Sequence, residues 1–200
     1  MPAQVFGFKD LPKDGIICLD TTFIIKIFGK VSKPSSHKLP EKIKKEIDKE
    51  NNIRTLCKNY AELLRKSDTI TVTCDCVIQE CLFCIIQWKL MEESEKKYSR
   101  IDKWHEIYKK YPSTLKKYNN LVDDFFKFTE ENGIVILDYK DFRYNEILST
   151  NATDIIKNQY TLPMDAYIVE HSRKFKINTF ASCDSDWERI DTIQLHSPYH

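Results

Sequence analysis

The chain has 200 residues, of which 42% are apolar and 30% charged, with a net charge of +1. That size and composition suit one domain with a substantial core. No apolar run reaches the roughly 18 residues a membrane span needs, and no N-terminal signal segment is apparent. These features predict a cytoplasmic chain with no membrane partner, whose seven cysteines stay reduced. With four glycines and neither GxxxxGK nor GxGxxG, a phosphate-cradling nucleotide loop is not expected.

The near-neutral charge hides an asymmetry. From Lys26 to Lys66 there are 12 basic and 5 acidic residues, whereas from Asn119 onward there are 8 and 14. A basic stretch beside an acidic centre suits a polyanionic substrate brought to metal ions. A solvated Lys-rich helix face accounts for the same run equally well.

In chain order, residues 15–20 predict a first strand and 21–28 a helix capped by Thr21 or Thr22. Residues 29–40, with Pro34, Ser35, Ser36 and Pro40, read as a loop. Two helices follow: a strongly charged one over 41–51, and one over 55–66 with Leu56, Tyr60, Leu63 and Leu64 as its apolar stripe. A β-branched strand over 69–73 precedes a buried helix over 77–91. From 92 to 131 the chain turns polar and aromatic, with Pro112-Ser113 separating two helices. A buried strand is predicted over 134–137, a helix over 145–158, another from Pro163 to about Lys174, and a strand over 179–181. Residues 195–200 read as either a strand or a tail. Strands alternating with helices predict an α/β fold with a parallel sheet. The whole chain is expected to form a single domain carrying a basic helical insertion at about 29–66 and a Lys/Tyr-rich helical segment at about 92–131.

Acidic residues sit where such a sheet does its chemistry. Asp20 directly follows the first strand, and Asp184 and Asp186 follow the last predicted core strand; ligands bind beyond the carboxyl ends of parallel strands. Glu80 lies inside an apolar helix, where an acid is either a paired core residue or a functional one. Asp165 opens a helix after Pro163, and capping is the cheap account of it. Asp184-Ser185-Asp186 is equally an ordinary polar turn. Brought together, these carboxylates would suit Mg²⁺ or Mn²⁺.

In order and setting, these segments resemble the PIN-domain nuclease family, which includes the toxin ribonucleases of toxin–antitoxin pairs. The resemblance rests on Leu19-Asp20-Thr21-Thr22, on Glu80, on Asp165-Ala166, and on Ser182-Cys183-Asp184-Ser185-Asp186-Trp187, with 19 residues from Asp165 to Asp184. Ser182 stands where the family usually has Thr, and Trp187 where it has Phe. The two helical stretches make this chain longer than a compact toxin nuclease. The resemblance implies a three-layer α/β/α sandwich and metal-dependent hydrolysis of phosphodiesters, RNA being the expected substrate. Asp20, Glu80, Asp165 and Asp184 would hold one or two Mg²⁺ or Mn²⁺ ions. Asp186 would be an extra or water-mediated ligand, and Thr22 and Ser182 would hydrogen-bond the carboxylates or a phosphate oxygen. An antitoxin or other protein partner, and a homodimer, also belong to what the resemblance implies. The alternative is a catalytically quiet PIN-like domain that binds RNA or a protein.

Lys103, Lys109 and Lys110, interleaved with Tyr98, Trp104, Tyr108 and Tyr111, have two readings. They grip phosphates while the rings stack on bases, or the rings form the inner face of a packed helix. Cys74, Cys76, Cys81 and Cys84 fall close together, but not at a usual zinc spacing; buried free cysteines behave as small apolar residues. The five histidines fall in no nucleophile motif, which leaves a catalytic triad without support.

Overall fold

The structure, a computed structural model, describes residues 2–29, 41–137 and 150–200. Residues 30–40 of the loop expected over 29–40, and the start of the helix expected at 145, lie outside them. The described residues form one six-stranded parallel sheet and seven α-helices, an α/β/α arrangement. The strands are β1 (Gln4–Gly7), β2 (Ile16–Leu19), β3 (Ile70–Cys74), β4 (Val135–Leu137), β5 (Thr179–Ala181) and β6 (Gln194–Ser197). The helices are α1 (Thr21–Phe28), α2 (Glu41–Lys66), α3 (Asp75–Tyr98), α4 (Trp104–Lys110), α5 (Asn119–Glu131), α6 (Thr150–Gln159) and α7 (Pro163–Lys174).

Strand order is β1-β6-β5-β2-β3-β4, every pairing parallel. The chain therefore lays β3 and β4 on one side of β2, then crosses to place β5 and β6 on the other. The reversal falls between β2 and β5. A central strand must be apolar on both faces, and Ile16-Ile17-Cys18-Leu19 meets that need. Cys18 accepts the Ser172 hydroxyl of α7 at 3.4 Å, while Leu19 lies with Phe23 and Ile27 of α1 and Leu64 of α2. Successive residues of β2 thus anchor helices on opposite faces of the sheet. Side chains as large as Phe23, Phe125, Phe180 and Trp187 are fully buried, each stabilising the fold by about 1.5–3 kcal/mol. A smaller apolar cluster of Leu90, Ile107 and Tyr118 joins the far end of α3 to α4 and the 3₁₀ turn at Pro112–Tyr118. Among the described residues, no helix is long and apolar enough to cross a membrane.

Several elements differ from the sequence expectation. The two helices expected over 41–66 are one, α2, because neither Pro nor Gly interrupts the run. Thr55, the expected start of the second, turns its hydroxyl back to the Asn51 carbonyl at 2.9 Å. Of the expected stripe, Tyr60 and Leu64 are buried but Leu56 is exposed, and Cys57 takes the inner position. Helix α3 runs well past residue 91 and stops at Ser99, whose left-handed φ of 54° lets its N–H bond the Glu95 carbonyl. Strand β4 is an edge strand with Val135 and Ile136 exposed rather than buried. Residues 194–197 form β6, and β1 pairs outside it, a strand the sequence reading did not anticipate.

Candidate active site

Asp20 leaves β2 in an extended conformation and caps α1 itself, in place of the expected Thr21 or Thr22. Three hydrogen bonds converge on its Oδ2: the Thr22 N–H at 3.2 Å, the Thr22 hydroxyl at 2.6 Å and the Ser182 hydroxyl at 2.8 Å. Asp20 as a whole is 3% exposed. Burial pushes its pKa up, and the bonds from Thr22, Ser182 and the Thr21 backbone only partly offset that.

The sheet explains why Ser182 reaches Asp20. The Asp20 N–H donates to the Ala181 carbonyl at 3.0 Å, which continues the β2–β5 ladder one residue and sets the ends of both strands side by side. Residues 182–184 are then sewn to α1. Thr22 Oγ1 accepts the Cys183 N–H at 2.9 Å, and Ser182 Oγ accepts the Asp184 N–H at 3.0 Å. Asp184 Oδ1 in turn accepts the Asp186 N–H at 2.9 Å and caps the 3₁₀ helix Ser185–Arg189. Asp186 pairs with Arg189 at 3.0 Å.

Glu80 and Asp165 arrive from two other elements. Glu80, in the second turn of α3, accepts the Thr21 hydroxyl on Oε2 at 2.5 Å. Asp165 is the third residue of α7, and no side chain caps that helix at Leu162. Its pKa is pushed up to about 7, first by burial and then by the charges of Asp20, Asp184 and Glu80. The buried indole N–H of Trp187 opposes this by directing its dipole toward Asp165, short of full hydrogen-bond geometry. The carboxylates of Asp20, Asp184 and Glu80, from three other elements, thus lie close enough for their charges to act on Asp165. All are hard oxygen donors of the kind Mg²⁺ and Mn²⁺ prefer. Among the described residues, no three His, Cys, Asp or Glu side chains are already drawn together as a metal-holding group.

No family model, curated protein or solved structure matches this chain. The meaning of the site therefore rests on its own geometry.

Other residues singled out in the sequence lie elsewhere. Lys103 and Lys110 both pair with Glu106, at 3.3 and 3.0 Å, and Lys109 is exposed on α4. Cys74 packs against Ser172 at 3.8 Å and Cys81 against the Thr21 carbonyl at 4.0 Å, as core side chains. Three neighbours of the site were not singled out individually in the sequence, although Lys49 falls in the basic run 26–66. Cys57 of α2 meets Cys183 with 3.3 Å between the sulfurs, Tyr199 donates its hydroxyl to the Cys183 carbonyl at 3.2 Å, and Lys49 of α2 borders the same region.

Proposed function

We propose that the chain is a PIN-type nuclease that hydrolyses phosphodiester bonds in RNA with Mg²⁺ or Mn²⁺, in the cytoplasm. The observation that carries this is the gathering of Asp20, Glu80, Asp165 and Asp184 beyond the strand ends where the sheet reverses order, the place where such sheets bind ligands. Capping accounts for Asp20 and Asp184 singly. It does not account for Asp165, whose ionisation is opposed by burial and by three like charges. A site that raises a carboxylate this way gains by meeting a cation.

Bound there, the metal would supply charge neutralisation at the phosphate and a water of lowered pKa. Asp20, Glu80, Asp165 and Asp184 would hold it. Thr22 and Ser182 keep Asp20 in one orientation through Oδ2, and Thr21 does the same for Glu80. Asp165, pushed up to about 7, is only partly ionised near neutral pH, and a cation facing it would favour the ionised form.

A second reading, a quiet PIN-like domain binding RNA or a protein, is favoured by the lack of a ready-made metal-holding group among the described residues. End-labelled single-stranded RNA, structured RNA and DNA, each incubated with Mg²⁺, Mn²⁺ or EDTA, separate the two. Metal-dependent cutting lost in folded Asp20→Asn and Asp184→Asn proteins supports the nuclease. No cutting by the wild type on any substrate leaves the binding module.

A further inference from the structure

Continuous with the carboxylates is a cleft of about 510 Å³ whose lining includes Thr22, Asp184, Ser185, Lys26, Lys49 and Tyr199. Thr22 and Asp184 belong to the carboxylate site, so whatever occupies the cleft sits next to it. The remaining lining has the opposite charge. Lys26 pairs with Glu50, but Glu50 also takes Arg54 at 3.0 Å. Two cations thus share one carboxylate, and a positive charge is left over. Lys49 is exposed, and among the described residues no carboxylate pairs with it. Tyr199, with its hydroxyl fixed on the Cys183 carbonyl, presents a half-exposed ring.

We propose that this cleft receives a second phosphate of a polynucleotide strand whose neighbouring phosphate lies at the carboxylates, with Lys49 meeting that phosphate and the Tyr199 ring stacking beside it. The assignment rests on the carboxylates being a phosphodiester site. It adds that the substrate is a strand rather than a lone phosphate ester, and that α2 forms part of the binding wall. A carboxylate cluster by itself repels a polyanion, and unpaired cations on an adjoining wall offset that repulsion. Aromatic rings beside such a groove hold bases without regard to sequence.

The test is fluorescence anisotropy with a short labelled single-stranded RNA in EDTA, where nothing is cut, over a series of salt concentrations. Lys49→Ala is expected to weaken binding several-fold whatever the base sequence. It is also expected to flatten the log–log salt dependence by about 0.7, the value of one single-strand phosphate contact. Lys66→Ala is the control, since Lys66 pairs with Glu62 at 2.6 Å and lies roughly 25 Å further along the same helix. It is expected to change neither quantity. Tyr199→Leu is expected to weaken binding without changing the salt slope. Wild-type protein that does not bind the RNA, or a Lys49→Ala protein with unchanged affinity and slope, overturns the assignment. Cleavage of a dinucleotide, too short to fill the cleft, is measured in parallel with Mg²⁺ and Mn²⁺. Its absence, with the longer RNA still cut, is the expected result; absence of cutting of both substrates counts against the nuclease and leaves the binding result readable.

Discussion

The Thr21 hydroxyl donates to Glu80 Oε2 at 2.5 Å. This bond fixes the first turn of α1 to the second turn of α3, and so holds Glu80 in place relative to Asp20, the residue before Thr21. Thr21→Val keeps the side-chain shape and removes the donor. Hydrogen bonds to charged groups contribute about 1.5–3 kcal/mol, and a loss of that order is expected in urea unfolding. The proposed RNA cleavage should fall further than stability does. Unchanged unfolding and cleavage would show that Glu80 does not depend on this bond.

Thr22 and Ser182 both donate to one oxygen of Asp20, and their own oxygens accept the N–H groups of Cys183 and Asp184. Thr22→Val and Ser182→Ala should therefore be strongly non-additive. A double-mutant cycle is expected to give a coupling of about 0.5–3 kcal/mol, the range for residues in one network. Additive effects would mean that the two hydroxyls act independently.

Asp165 sets a pH dependence of unusual sign. An unfolded Asp titrates near 3.9, whereas Asp165 in the fold does so at about 7. Between those values the native state binds more protons than the unfolded one at this residue, so its contribution to stability falls as pH rises. Buried His171, lowered to about 4, contributes in the opposite direction over part of this range. Comparison with Asp165→Asn isolates the carboxylate. In EDTA, Asp165→Asn should gain in melting temperature over wild type between about pH 4 and about pH 8. Mg²⁺ or Mn²⁺ should raise the wild-type melting temperature more at the upper end of that range. A wild-type-to-variant difference that is flat with pH contradicts the assignment.

Trp187→Phe removes an indole N–H while keeping an aromatic ring in the core. The dipole that holds Asp165 down is then absent, and the Asp165 carboxyl should titrate above its wild-type value. Carboxyl-carbon NMR in EDTA reads this directly. A lower or unchanged value would show that the indole does not act on Asp165.

The boundaries most legible in the sequence were those with chemical punctuation. Pro163 at the start of α7, and Asp20 and Asp184 just beyond β2 and β5, mark their elements locally. The acids could be picked out for the same reason, since each stands against an apolar run. Elements held by tertiary contacts were not legible. The gap expected between residues 51 and 55 is helix, since neither Pro nor Gly interrupts it, and α2 is docked through the Tyr60 hydroxyl on His196 Nδ1 at 2.8 Å and on the Asp10 carbonyl at 3.1 Å. Strand β1 has only four residues and forms by adding to β6, a pairing partner almost the whole chain away. Lys49, Cys57 and Tyr199 are separated from the acids in sequence, and only the packing of α2 and the C-terminal segment brings them near.

The reversal of strand order between β2 and β5 also governs when the site comes into being during synthesis. Asp20 is translated early, whereas its partner Ser182 follows 162 residues later, and Asp184 later still. At bacterial-to-eukaryotic elongation rates that interval is roughly 10–30 s. Until β5 emerges, β2 has an open edge and Asp20 lacks the Ser182 hydroxyl. For most of its synthesis, a chain built this way emerges from the ribosome with the two halves of its carboxylate site still apart.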